Sequence, residues 1–250
     1  MLNAQQRNIV CMKWGTKFPA SDVNRLRAMV RRHLATPHRF ICFTDHTEGL
    51  EADIEARPLP EVGWEREPDI NAHGWRKIGL FGETLADLEG QALYLDLDVV
   101  IVDALEPFFE GETTFRVIRD YRPIRWRGDS FVGNTSVMRF EIGSHPVLLQ
   151  RFRAEFPAIR DALRNEQEYL SHYFQERGLL EYWPQAWCPS FKRHCVGVGP
   201  VTWLRTPRIP EGARVIVFHG RPKPEEAIEG RGGKWYRHIR PTPWIRDHWG

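Results

Sequence analysis

The chain predicts a single α/β domain in which a mostly parallel, mixed sheet is flanked by helices and followed by an irregular C-terminal tail. Three observations carry this. The N-terminal part runs strand, helix, strand, and a crossover helix is what joins two parallel strands. At 250 residues with 42% hydrophobic side chains, the chain suits one large domain with a sizeable core. Neither an internal repeat nor a low-complexity segment interrupts it. The expected organisation is a domain over 1–225, with 1–103 and 104–225 as its halves, and a basic, Trp-rich tail over 226–250.

The elements follow in order. Ile9-Val10-Cys11-Met12 is a short apolar run with β-branched members and reads as the first strand. After a loop containing Pro19, Ser21 is a good N-cap for an amphipathic helix whose Val23, Leu26, Val30 and Leu34 keep helical spacing. The second strand covers 39–44 and ends at Asp45. Pro58, Pro60, Gly63 and Pro68 mark a loop-rich stretch, and a helix is predicted over 75–88 with Ile78, Phe81 and Leu85 inward. A strand over 93–102 leads into a short helical turn over 104–109. Strands over 114–119 and 135–140 are separated by a polar loop. Ser144 and Pro146 open a helix reaching 156, and another over 166–177 stops at Gly178. A late strand over 214–218 ends in His219-Gly220-Arg221-Pro222-Lys223-Pro224.

With 35 Lys+Arg against 33 Asp+Glu, the formal charge of +2 supplies no field that would select a nucleic acid partner. Basic residues thicken over 116–127 and over 205–246, where Trp203, Trp235, Trp244 and Trp249 are interleaved with them. Such a tail suits contact with anionic headgroups or phosphates, and equally a solvated basic surface. No stretch approaches the about 20 apolar residues of a membrane span, and residues 1–14 carry no signal-peptide run. A cytoplasmic protein is expected, with peripheral contact at the inner membrane face through the tail. Cys11, Cys42, Cys188 and Cys195 form no CxxC pair and are expected as reduced thiols; Cys188, His194 and Cys195 fit no common zinc spacing.

The chemistry concentrates in Leu93-Tyr94-Leu95-Asp96-Leu97-Asp98-Val99-Val100, an apolar strand carrying two carboxylates. Side chains alternate along a strand, so Tyr94, Asp96, Asp98 and Val100 are expected on one face. Two like-directed carboxylates at a strand end form a hard-oxygen site suited to Mg²⁺ or Mn²⁺, which would in turn hold a diphosphate. The alternative is that both carboxylates cap loops or pair with arginines.

Two enzyme classes place Asp-x-Asp after such a strand. The haloacid dehalogenase superfamily is matched by Asp96-Leu97-Asp98-Val99-Val100, and Gly128-Asp129-Ser130 imitates its later acidic motif. That motif lies too close here, and a complete strand–helix–strand unit precedes the first one. The stretch 93–109 resembles instead the metal-dependent, Rossmann-like GT-A nucleotide-sugar glycosyltransferases of the glycogenin and bacterial lipopolysaccharide galactosyltransferase family. Gly133-Asn134-Thr135-Ser136-Val137-Met138 is similar to that family's Asn-containing strand, and Glu166-Gln167-Glu168-Tyr169-Leu170 to its Gln-containing helix. His219-Gly220 followed by Lys223-Pro224 resembles a contracted form of its terminal His/Gly/Lys motif, with Glu225 where that motif has Trp.

The resemblance implies a hexosyltransferase that moves a hexose from a UDP-sugar to a hydroxyl of a glycan, lipid-linked or protein acceptor, assisted by Mn²⁺ or Mg²⁺ and retaining configuration. Residues 1–103 would form the nucleotide-sugar half and 104–225 the acceptor half. Asp96, Asp98 and His219 would hold the metal, Gly220 and Lys223 the diphosphate, and Gln167 with Glu166 would lie near the anomeric carbon. Base and ribose contacts are expected at the ends of the first strands, from Cys11, Met12 and Asp45, with Trp75 and Lys77 before the acidic pair. On the acceptor side Asp129, Asn134 and Trp187 are candidates, with Trp126 and Trp183 as further stacking faces. A dehalogenase-type phosphohydrolase and a non-catalytic nucleotide- or glycan-binding protein are the alternative functions.

Overall fold

The structure, a computed structural model, describes residues 6–111, 114–121, 132–197 and 199–250. A seven-stranded sheet runs in the order β3-β2-β1-β4-β7-β6-β8. Its strands are β1 (Arg7–Lys13), β2 (Arg39–Thr44), β3 (Glu55–Arg57), β4 (Gln91–Leu95), β6 (Phe115–Arg119), β7 (Gly133–Glu141) and β8 (Glu181–Tyr182). β1 pairs in parallel with both β2 and β4, β2 with β3 and β6 with β8, while β7 is antiparallel to β4 and β6. A second, two-stranded sheet pairs β5 (Val99–Ile101) with β9 (Val215–Val217) in antiparallel register.

Period-two alternation divides the core between the two faces of the large sheet. Ile9, Cys11, Leu93 and Leu95 point to the side of α1 (Ala20–His33). Val10, Met12, Ala92 and Tyr94 point to the side of α2 (Pro146–Ala162) and α3 (Glu166–Glu176). Because strands buried on both faces are apolar throughout, they read as continuous hydrophobic runs.

Several sequence expectations are corrected. Pro19, extended at φ −72° and ψ 162°, takes the cap position of α1, and Ser21 sits inside its first turn. The helix expected over 75–88 is a tight 3₁₀ segment, Trp75–Phe81. A Cβ on Gly79 would stand 2.9 Å from the Pro60 side chain, so this glycine serves a close approach. Chain extension at Gly82 then ends the segment, although Ile78, Phe81 and Leu85 are buried as expected. His145, not Ser144, precedes α2, which continues past Phe156 to Ala162; the Ser144 hydroxyl instead donates to the Glu141 carbonyl.

The strand expected over 93–102 is two strands, β4 and β5, broken by a turn at 96–98. β4 ends in the large sheet, whereas β5 crosses to pair with β9, and no single strand can serve both sheets. Gly178 ends α3 as expected, at φ +66°, with the amides of Gly178 and Leu179 donating back to the Gln175 and Phe174 carbonyls. The segment 226–250 is tied to the domain. After α4 (Val201–Leu204) and α5 (Pro224–Ile228) it carries α6 (Trp244–Trp249), and Ala227, Ile239, Ile245 and Trp249 join the core on the α1 side. Arg25 of α1 lies over the Trp249 ring at 4.3 Å.

Candidate active site at the switch point

The chain moves outward from β1 to β2 and β3, then returns to the other side of β1 as β4. At such a reversal the loops leave the carboxyl ends of adjacent parallel strands in opposite directions and open a crevice between them. A cavity of about 360 Å³ occupies this place. Met12 and Tyr94 come from the strand ends, Trp14, Lys17 and Phe18 from the loop after β1, and Asp96, Leu97 and Asp98 from the turn after β4. Residues 71–74, Lys77 and the start of α3, from Asn165 to Gln167, close the opposite wall.

The floor is a neutralised network. The Lys77 ammonium lies 2.8 Å from Asp96 Oδ1 and 3.6 Å from Glu166 Oε1, with only 6% of its side chain exposed. Tyr94 donates its hydroxyl to Asp96 Oδ1 at 2.9 Å, and Thr135 donates to Glu166 Oε1 at 2.8 Å. Burial alone would lower the Lys77 pKa, but the fields of Asp96 and Glu166 outweigh it and hold the lysine above its ordinary value. For Asp96, burial acts upward, and Lys77, Ser136 and Tyr94 together bring it below the usual carboxylate range. Burial pushes Glu166 up, with Lys77 and Thr135 offsetting part of that shift.

Residues 73 and 74 press the network from above. His73 and Gly74 both have positive φ, +53° and +76°, and a Cβ on Gly74 would stand 2.5 Å from the Glu166 carboxyl carbon. Only glycine meets both demands at low cost. The His73 carbonyl accepts from the Glu166 amide at 3.4 Å and so joins this loop to α3.

At the mouth, Lys223 donates to Asp98 Oδ2 at 2.5 Å. The contact crosses 125 positions of sequence, and the β5–β9 pairing makes it: the Phe218 amide donates to the Asp98 carbonyl at 3.0 Å. Burial and then the charge of Asp96 raise the Asp98 pKa, against Lys223. The ammonium groups of Lys17 and Lys223 lie 5.2 and 5.3 Å from the centre of the Phe18 ring.

The same pairing brings the backbone of His219 beside the 96–98 turn, but its imidazole is engaged elsewhere. Nε2 lies 2.7 Å from the Ser190 hydroxyl, the ring stacks on Tyr121 at 5.2 Å, and Lys192 donates to the His219 carbonyl at 2.7 Å. Burial first, then Lys192 and Arg193, lower the His219 pKa to about 4. Among the described residues, no group of three or more His, Cys, Asp and Glu side chains is gathered as a metal-ligand set. In this arrangement Asp96 Oδ1, Asp98 Oδ2 and His219 Nε2 each already have a protein partner, which a divalent cation taken up at those atoms would displace.

Of the other expected site residues, Met12, Lys77, Glu166 and Gln167 line the cavity. Cys11 is fully buried on the opposite face of β1, and Trp75 packs among Phe152 and Phe156 with 1% exposure. Asp45 accepts the Gly15 amide at 3.0 Å and steadies the loop after β1. Asn134 is buried and accepts the Ser136 amide, and Gly220 stands exposed at φ +79°. Trp187 packs edge-on against Phe108, and Trp183 is buried, donating to the Val137 carbonyl. Trp126 and Asp129 lie outside the described residues. Trp14, Lys17, Phe18, His73, Gly74, Tyr94, Thr135 and Asn165 were missed. The loop position of the first three, just beyond the first strand, was the available signal.

Comparison with solved structures finds the same fold in the galactosyltransferase LgtC. A structure of the galactosyltransferase LgtC in complex with donor and acceptor sugar analogues superposes with a TM-score of 0.55 at 16% identity, covering 87% of this chain and 88% of that one. An active-site mutant of LgtC gives a TM-score of 0.57, also at 16% identity, covering 87% and 89%. At that identity the likeness is one of fold. No protein-family model matches the sequence, and no curated protein sequence does.

Proposed function

We propose that the chain is a glycosyltransferase moving a hexose, with retention, from a UDP-sugar to a hydroxyl of a glycan, lipid-linked or protein acceptor. The observation that carries this reading is the cavity at the switch point. It joins two lysines at its mouth to a buried Lys77–Asp96–Glu166 floor and to Gln167, all within a GT-A fold. Departure of a nucleoside diphosphate breaks the anomeric C–O bond and leaves the electron pair on a phosphate oxygen. Lys223 and Lys17 are assigned to cationic stabilisation of that oxygen. The acceptor oxygen forms the new bond to the anomeric carbon, and its proton passes to the leaving diphosphate. Gln167 is assigned to the anomeric region, a reading supported by the LgtC active-site mutant, which exchanges a glutamine for a glutamate. Glu166, shared between Thr135 and Lys77, is assigned to sugar hydroxyls.

No step of this reading passes through a metal. In a dehalogenase-type reaction the Asp96 carboxylate would act as nucleophile while its Oδ1 accepts from Lys77 and Tyr94, and the fold shared with LgtC favours glycosyl transfer. The test is UDP release from a panel of UDP-hexoses, with thermal stabilisation by UDP measured in parallel. Absence of both release and stabilisation sinks the reading, and stabilisation without release leaves a binding protein.

No helix among the described residues is long and apolar enough to cross a membrane. Exposed Trp203, Leu204, Trp235 and Tyr236, set among basic residues, support peripheral contact with the inner membrane face. Sedimentation with phosphatidylglycerol vesicles tests this contact, and recovery of all the protein in the supernatant rules it out.

A further inference from the structure

We propose that this pocket binds its nucleoside diphosphate without a divalent cation, the phosphate charge being met by Lys223 and Lys17. This rests on the reading of the site as a nucleotide-sugar pocket. A cation bridging carboxylates and diphosphate must compete with the ammonium groups already paired to those carboxylates and needs a third ligand. Here Asp96 Oδ1 receives two donors, Lys77 at 2.8 Å and Tyr94 at 2.9 Å. Asp98 Oδ2 receives Lys223 at 2.5 Å. A metal entering between them would displace an ammonium and then sit beside the charge it displaced. The remaining candidate, His219, has Nε2 on the Ser190 hydroxyl and its ring against Tyr121, with the Lys192 ammonium on its carbonyl.

The lysines, by contrast, are placed for a phosphate. Lys17 and Lys223 approach one ring, Phe18, at 5.2 and 5.3 Å, so both charges lie beside a ring that lines the cavity. The Lys223 backbone is fixed, its amide donating to Glu226 Oε2 at 2.9 Å at the start of α5. An ammonium has three donors, so Lys223 can keep Asp98 and take phosphate oxygens together. In this arrangement Asp98 is a positioning residue that aims the ammonium.

The experiment is calorimetric titration of the full chain with UDP, in EDTA and in MnCl₂, with inorganic pyrophosphate as a second probe. The UDP dissociation constants in the two buffers should agree within about threefold. In EDTA, Lys223→Met should weaken UDP by about tenfold or more, and Lys223→Arg should keep most of the affinity. The double variant Asp98→Asn/Lys223→Met removes the pair without leaving a lone charge, so its binding loss reads the lysine rather than misfolding. UDP binding that needs Mn²⁺ overturns this inference and leaves the proposed function standing, as does unchanged affinity of Lys223→Met in EDTA. Absence of UDP and pyrophosphate binding in both buffers overturns the proposed function and this inference with it.

Discussion

Replacing Lys77 by Met removes the one ammonium shared by two carboxylates at the cavity floor. Its Nζ stands 2.8 Å from Asp96 and 3.6 Å from Glu166. At an effective dielectric of about 20, charges at these separations attract by roughly 5 kcal/mol each before desolvation is counted. Breaking a buried pair while leaving the partner charged costs about 3–5 kcal/mol. The lower end applies, because the Asp96 side chain is 23% exposed and keeps the Tyr94 hydroxyl, while Glu166 keeps Thr135. A loss of about 3 kcal/mol in a domain of this size lowers the melting midpoint by about 10 °C. The deficit should also depend on pH. Without Lys77 both carboxylates have folded-state pKa values above their unfolded ones, so the folded variant takes up protons that the unfolded chain does not. Its deficit against wild type should therefore shrink as pH falls from about 7 to about 5. Urea denaturation of both proteins at several pH values measures this. A deficit under about 1 kcal/mol at neutral pH, or one constant with pH, would refute the account of the floor as a charge-neutralised network.

Gln167→Ala should lower UDP-hexose turnover by about 100-fold while leaving stability within about 0.5 kcal/mol, since this half-buried side chain faces the cavity. Unchanged turnover removes it from the anomeric region. Gly74→Ala places a methyl group 2.5 Å from the Glu166 carboxyl at φ +76°, and should cost about 1–3 kcal/mol together with UDP affinity. A wild-type melting curve would show that the 71–74 loop yields freely. His219 is depressed to about 4 in the folded protein, so protons bind the unfolded chain first. Its contribution is complete above about pH 6.5 and is lost as pH falls toward about pH 4. His219→Gln should flatten the acid decline of urea stability across that window, and parallel declines in the two proteins would assign the effect to other groups.

The fold was legible where one physical rule dominates. β1, β2 and β4 show in the sequence because strands buried on both faces are apolar throughout, and Gly178 shows because a helix end needs a left-handed residue. The break at 96–98 did not show, since apolar residues continue on both sides and the cause is a change of partner strand from β1 and β7 to β9. The 3₁₀ form of 75–81 was hidden for a similar reason: the smallness of Gly79 answers to Pro60, nineteen positions away. Motif and position pointed to the acidic pair, Lys77, Glu166 and Gln167, all of which line the cavity. The engagement of His219 with Ser190 was hidden, because nothing local in either segment encodes it.

The Asp98–Lys223 contact also bears on biosynthesis. A ribosome delivers the acidic floor long before the lysine that faces it, 125 positions later. Chains emerge N-terminus first, and domains generally fold as units. When β1, β2 and β4 have been made, the 96–98 turn still lacks its counter-charge and β5 still lacks β9. Termination between positions 98 and 223 yields a chain with both carboxylates and Lys17 but without Lys223. The mouth thus gains its second lysine only as synthesis nears its end.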